Sequence, residues 1–185
     1  VVDGQGNVAA LTTTVNLPFG SGLIDARTGI RLNNQMDDFA AQPDVPNAFG
    51  LVGGSANAVA PGKRPLSSMT PMIVTKGKQP LLCVGASGGP KIVSATVQTI
   101  VNVLDHHLDV SAAVAAPRIH AQWLPDKLTV EREVPADVRD ALARRGHRVE
   151  VMDEPAAVQA IAIDAERQRL TATSDPRKGG APAVP

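Results

Sequence analysis

Five residues at the end of an apolar run, Gly85-Ala86-Ser87-Gly88-Gly89, carry the sharpest chemical signal in the chain. Glycines at a strand-to-helix turn let backbone N–H groups come close to a ligand, and such groups bind an anion or a developing oxyanion. The same residues fit G-x-S-x-G, the nucleophile elbow of α/β-hydrolases, which would make Ser87 the attacking group. That elbow requires an Asp and a His on separate loops of a parallel sheet. Here Asp105-His106-His107 falls inside a helical pattern, and the downstream half lacks strand-helix alternation. A phosphate loop is a weaker match, because the G-K-[ST] ending is missing. A second cluster, Asn33-Asn34-Gln35-Met36-Asp37-Asp38, gathers two carboxylates and several amides at a strand end; taken alone it reads equally as a solvated turn. In Lys63-Arg64-Pro65-Leu66-Ser67-Ser68-Met69, two hydroxyls beside a basic pair could hold a carboxylate or merely end a loop. His106, His107, His120 and His147 have neither H-x-x-x-H nor carboxylate spacing suited to a metal. Cys83, the single cysteine, lies in the apolar run LLCVG and reads as a small buried thiol.

These groups need a scaffold, and the sequence supplies one. At 185 residues and 43% apolar, the chain can bury a core as one domain, 1–185. Eighteen basic residues balance eighteen acidic ones, so no bulk charge favours nucleic acid. No apolar stretch reaches the roughly 20 residues of a membrane helix, and the first residues lack a signal-peptide pattern. Residues 8–15, β-branched after the turn Gly4-Gln5-Gly6-Asn7, predict a first hairpin, and GIRLNN a short strand. Residues 41–65, rich in Pro, Gly, Ala and Asn, form a long loop of the lid kind. MIVTKGKQPLLCVG reads as a hairpin turning at Lys76-Gly77-Lys78, with an exit strand that runs into Ser87-Gly88-Gly89-Pro90. Ile92, Val93, Val97, Ile100, Val101 and Leu104 recur at helical spacing behind Pro90. Ser111 is positioned to cap a short alanine-rich helix ending before Pro117, and PADVRDALARRG predicts another stopped by Gly146. Strands at residues 148–152, 158–164 and 170–174 close the chain. Strands, then helices, then strands with antiparallel connections predict an α+β sandwich.

TTTVNLPFGSG, GIRLNNQMDDFAAQP, PNAFGLVGGSANAVAPGKRPLSSMTP, GASGGPKI, APRIHAQWLPD and SDPR follow one another along residues 1–177. In this order and spacing they resemble the small subunit of gamma-glutamyltranspeptidases. The resemblance implies a four-layer αββα N-terminal-nucleophile fold completed by a large subunit, with no metal or organic cofactor. It also implies a precursor that cuts itself before a threonine, whose hydroxyl then attacks a γ-glutamyl amide such as glutathione. By alignment with the family that threonine is expected five residues before Val1; Val1 has no hydroxyl to replace it, and the chain opens as a hairpin already under way. Carried over by position, Thr14 would assist the nucleophile, and Asn16, Gln35 and Asp38 would hold the substrate α-amino group. Ser67 and Ser68 would hold the α-carboxylate, and the Gly88 and Gly89 N–H groups the oxyanion. Phe49 stands where many members carry a lid tyrosine, which leaves the balance of transfer and hydrolysis open. A periplasmic or secreted location is the family's expectation.

Three other readings stay open on the sequence: a cephalosporin-type acylase taking a glutaryl chain, a serine hydrolase using Ser87, and a non-catalytic remnant. Asp38 counts against the first, because a carboxylate facing a plain methylene is poorly used. Arg118-Ile119-His120-Ala121-Gln122-Trp123 and Asp175-Pro176-Arg177 are expected to be structural, the former through packing and hydrogen bonding around the lone tryptophan.

Overall fold

A computed structural model describes residues 1–183. The chain divides into two compact units, Val1–Thr12 with Met69–Pro185, and Thr13–Ser68.

The first unit is built on a four-stranded sheet in the order β1-β2-β6-β7. The Lys76-Gly77-Lys78 turn, with Gly77 at φ 61°, joins β1 (Met72–Lys76) to β2 (Gln79–Ser87). β6 (Ala157–Asp164) pairs with β2, and β7 (Arg169–Ser174) with β6, every pair antiparallel. Alternation fixes the faces: Leu82, Val84 and Ala86 stand opposite Ala162, Ala160 and Val158, and these side chains share one apolar surface. α1 (Lys91–Leu104) and α2 (Val110–Ala115) cover that surface with Ile92, Ala95, Val110 and Val114. On the other face the Cys83 thiol meets the Ala9 carbonyl at 3.7 Å, buried and free as its apolar run suggested.

Several local expectations change in detail. Only Val2 and Val8 bridge around the first turn, and residues 9–15 join no ladder; β-branched composition favours a strand only where a partner edge is offered. α1 stops at Leu104, so Asp105-His106-His107 lies beyond the helix. His107 at φ 55° reverses the chain, and Leu108 N–H returns to the Asn102 carbonyl at 2.9 Å. The cap of α2 is Asp109, not Ser111; its carboxylate accepts the N–H groups of Ser111 and Ala112 at 2.9 and 3.0 Å. A carboxylate one residue outside the helix satisfies two orphan donors, which a hydroxyl inside the first turn cannot reach. α3 (Ala136–Arg144) does end before Gly146, at φ 94°.

A smaller sheet, β3 (Ile119–His120), β4 (Leu128–Val130) and β5 (Val149–Val151), contains the single parallel pair among the described strands, β4 with β5. It is tied to the main sheet by charge. Arg118, Glu131 and Asp175 are 3%, 2% and 1% exposed. Arg118 Nη2 donates to Asp175 Oδ2 at 2.6 Å, and that oxygen also accepts Val158 N–H at 2.8 Å. Arg177 donates to Asp175 Oδ1 and Glu131 Oε2, and its other N–H groups reach the carbonyls of Val114, Ala115 and Ala116 at the end of α2. The cations therefore cap a helix C-terminus while two buried carboxylates neutralise them. Trp123 contributes little to this: it is 78% exposed at φ 71°, so packing around the tryptophan is not what the Arg118–Trp123 segment is for.

The second unit is mostly turns. Its buried centre includes Phe39 and Ala40, 5% and 6% exposed. GIRLNN forms one arm of an irregular hairpin with a lone Ile24–Arg31 bridge, not a regular strand. Leu32 N–H reaches the Leu23 carbonyl at 3.0 Å and Asp25 N–H the Ile30 carbonyl at 3.0 Å. Two strands without a third, or a packed face, are too weakly held for a regular ladder.

Candidate active site

β2 delivers the chain into the glycine turn. Gly88 has φ 141°, and a Cβ there would sit 2.8 Å from both Cα and Cβ of Ala156, so the position excludes any side chain. Gly89 follows at φ 60°, and its carbonyl receives Ile92 N–H at 3.1 Å as α1 begins. Neither glycine N–H has an acceptor among the described residues. Two backbone donors thus stand at the opening of a helix, where a negative charge is stabilised.

Ser87 has no partner suited to a nucleophile elbow. Its hydroxyl accepts from Lys178 Nζ at 3.2 Å, and among the described residues no histidine reaches it. His120 is engaged at both ring nitrogens, by Ser94 Oγ at 2.7 Å and Gln122 Oε1 at 2.9 Å. β2 is antiparallel to both of its neighbours, whereas the elbow belongs to a parallel sheet.

In the second unit Asn34 ties the segment of Thr14 and Asn16 to the turn that carries Gln35 and Asp38. Its amide oxygen accepts Leu17 N–H at 3.0 Å and its carbonyl accepts Asn16 Nδ2 at 3.2 Å. The same carbonyl takes Asp37 N–H at 3.0 Å and starts the 3-10 turn Gln35–Asp38. Thr14 joins through its Oγ1, which accepts Asn16 N–H at 2.9 Å and helps hold Asn16 at φ 76°. Gln35 N–H is taken by Asn33 Oδ1 at 3.0 Å. Thr14, Asn16, Gln35 and Asp38 are thereby brought to one short turn and its neighbour.

Asp38 is half-buried, and no group among the described residues hydrogen-bonds or ion-pairs with its carboxylate. Burial, and after it the charge of Asp37, pushes the Asp38 carboxyl above its ordinary value. Such a carboxylate gains most from a cation of complementary shape. The segment that leads into Ser67 and Ser68 is tied to the same turn, at Leu66, by a residue the motifs do not single out. Asn57 donates its Nδ2 to the Asp38 carbonyl at 2.8 Å and accepts Leu66 N–H on Oδ1 at 3.0 Å. Asp37 anchors the neighbouring loop: its Oδ2 accepts Ala48 N–H at 3.1 Å, and its carbonyl accepts Asn47 Nδ2 at 3.3 Å. Asn47 Oδ1 in turn takes Phe49 N–H and Leu51 N–H, each at 3.0 Å, so the loop tip bearing Phe49 hangs on Asp37. Asparagines within a loop announce turns; which carbonyl each amide meets is not written in their spacing.

An antiparallel sheet with helices on one face, and a glycine turn leading from its second strand into a helix, define an α+β chain of the N-terminal-nucleophile hydrolase class. The chain belongs to the gamma-glutamyltranspeptidase family, which it matches over residues 1–184. It is 47% identical over 177 residues to the glutathione hydrolase proenzyme of Escherichia coli (strain K12), aligning 96% of its own length with 30% of that protein's. The chain therefore spans about a third of the length of that relative. Among solved structures it is similar to the Helicobacter pylori gamma-glutamyltranspeptidase T380A mutant, with TM-score 0.92, 43% identity, and 96% and 97% of the two chains covered. It is also similar to gamma-glutamyltranspeptidase from Pseudomonas nitroreducens complexed with L-DON, with TM-score 0.93, 41% identity, and 100% and 96% covered.

Proposed function

We propose that the chain is the catalytic-side subunit of a two-subunit glutathione hydrolase and transpeptidase, and that a large subunit from the same precursor completes it. The observation that carries the reading is Asp38, a half-buried and unpaired carboxylate on the Gln35–Asp38 turn. A γ-glutamyl group differs from a glutaryl group by one α-ammonium, and that ammonium is the cation Asp38 is suited to meet. Asn16 and Gln35 add neutral oxygens to the same group, and Ser67 and Ser68 hold the α-carboxylate. The attacking threonine implied by the family lies outside the sequence of residues 1–185. Its Oγ bonds to the γ-carbonyl carbon while its α-amine takes the hydroxyl proton. Thr14, whose Oγ1 accepts from Asn16 N–H, keeps a hydroxyl proton to donate toward the attacking oxygen. The carbonyl oxygen becomes an oxyanion, stabilised by the Gly88 and Gly89 N–H groups, each such donor being worth on the order of 3 kcal/mol in other enzymes. The C–N bond then breaks, the leaving amine takes the proton, and a γ-glutamyl ester remains. Water or an acceptor amine attacks the ester and frees the threonine. Phe49 has no hydroxyl to donate, so it would cover the site by packing alone. A periplasmic or secreted location fits this activity.

The test uses the two-subunit enzyme on a γ-glutamyl anilide and its glutaryl analogue, with mass spectrometry of the acyl adduct. The expected result is a preference of at least about tenfold for the γ-glutamyl substrate, the size of one charge-assisted contact, and an adduct on an N-terminal threonine. Parity between the substrates would point to the glutaryl acylase, and an adduct on Ser87 to a serine hydrolase.

A further inference from the structure

We infer that Asn57 is a positioning residue that sets the spacing between the reader of the substrate α-ammonium and the readers of its α-carboxylate; this rests on the proposed roles of Asp38, Ser67 and Ser68. In a γ-glutamyl group the ammonium and carboxylate leave the same carbon, so their partners must be held at a fixed separation. Asp38 ends a 3-10 turn, whereas Ser67 and Ser68 lie in a stretch with no helix or ladder. The two are joined through one amide: Asn57 Nδ2 donates to the Asp38 carbonyl at 2.8 Å and Asn57 Oδ1 accepts Leu66 N–H at 3.0 Å.

Asn57 is itself fixed at the backbone. Its carbonyl accepts Ala40 N–H at 2.9 Å and its N–H donates to the Gly54 carbonyl at 3.0 Å, within the 3-10 turn Ser55–Asn57. Gly53 approaches so closely that a Cβ there would lie 3.0 Å from Ala40 Cβ, which keeps the turn against the buried residues that follow Asp38. A planar amide offers a donor and an acceptor a fixed distance apart on a short stem; aspartate lacks the donor and alanine lacks both. Asn57 touches neither recognition group directly. It acts through the main chain of residues 38 and 66, and its loss is felt as misplacement.

The experiment compares wild type, Asn57→Ala, Asn57→Asp and Asp38→Asn in the two-subunit enzyme. The substrates are a γ-glutamyl anilide, its glutaryl analogue, which lacks the amine, and its 4-aminobutyryl analogue, which lacks the α-carboxylate. Asn57→Ala should raise KM for the γ-glutamyl anilide about tenfold and leave kcat within about threefold, because the lost bonds orient binding groups and not the reacting atoms. Its preference over both analogues should shrink together. Asn57→Asp keeps the acceptor for Leu66 N–H and loses the donor toward Asp38, so the preference over the glutaryl analogue alone should shrink. If Asn57→Ala does not fold, Asn57→Asp decides the matter. A fall in kcat and melting temperature with both preferences intact means a structural role and overturns the inference. Unchanged preferences in both Asn57 variants, while Asp38→Asn loses its selectivity, overturn the coupling and leave the amine reading standing. Unchanged selectivity in Asp38→Asn removes the amine reading and the coupling with it.

Discussion

Two neighbouring carboxylates divide the labour in the Gln35–Asp38 turn. The Asp37 carboxylate accepts Ala48 N–H, and its main-chain carbonyl accepts Asn47 Nδ2, while the Asp38 carboxylate is left half-buried without a partner among the described residues. Asp38→Asn keeps the shape of the side chain and removes its charge. Its KM for a γ-glutamyl anilide should rise, and its preference over the glutaryl analogue should fall by the equivalent of about 1–3 kcal/mol. Unaltered selectivity would show that Asp38 does not face the amine. The neighbour makes a second test possible. Burial and the Asp37 charge raise the Asp38 carboxyl, so as pH falls it protonates earlier than an ordinary carboxylate and, in the proposed role, would release the ammonium sooner. Asp37→Asn removes that charge and retains an oxygen for Ala48 N–H. The acid limb of kcat/KM for the γ-glutamyl anilide should therefore move to lower pH, and that of the glutaryl analogue should stay. A limb that stays put or moves upward for the γ-glutamyl substrate would assign it to another group.

At the strand-to-helix junction from β2 into α1, two N–H groups stand without an acceptor among the described residues, and the glycines that carry them are dictated by geometry. Gly88→Ala would place a methyl 2.8 Å from the Ala156 backbone and Cβ. The turn must shift, and kcat should drop by about a hundredfold or more, as when an oxyanion donor is lost. Circular dichroism and a melting curve establish that the sheet survives. Proline at Gly89 would be a poor probe, since φ 60° there is incompatible with the proline ring. Ser87→Ala leaves both glycines in place and removes only the hydroxyl held by Lys178. It should keep most of kcat, whereas a serine nucleophile would lose activity by roughly a millionfold. An inactive Ser87→Ala enzyme that still melts normally would restore the serine hydrolase reading.

For the molecule as a whole, the first unit is tied together by the Arg118, Glu131, Asp175 and Arg177 cluster. Asp175 feels burial, which raises its pKa, but hydrogen bonds from Val158, Arg177 and Arg118 outweigh it and hold the carboxyl below its ordinary value. Asp175→Asn takes the nearer carboxylate from Arg118, which is 3% exposed and keeps only the more distant Glu131 at 4.0 Å, and should cost roughly 3–5 kcal/mol in denaturant unfolding. The sign of the pH dependence follows from the lowered value. The stabilisation is fully present above the unfolded carboxylate pKa of about 3.9, and it is lost as pH falls through the lower folded value. The gap between wild type and variant should thus be flat from about pH 5 to 8 and close below about pH 4. A gap already narrowing at neutral pH would contradict the assignment.

The hairpin through Gly77, the helix behind Pro90, the stop at Gly146 and the glycine turn at Gly88-Gly89 were all legible in the sequence. Each depends on a local rule, either the period of apolar residues or a backbone angle only glycine or proline accepts. Family-length motifs likewise identified Thr14, Asn16, Gln35, Asp38, Ser67 and Ser68 as candidates without showing how they are held. Tertiary structure decided the rest. Whether residues 9–15 and GIRLNN become regular strands depends on an edge to pair with, and that edge is not a property of their composition. The roles of Asn34, Asn47 and Asn57 rest on hydrogen-bond partners up to 19 residues away, as in the Asn57–Asp38 bond. The pairing of Arg118 with Asp175 spans 57 residues. Hydrogen bonds between such distant groups are fixed only when the folded backbone brings donor and acceptor within about 3 Å, and no short-range pattern encodes that approach.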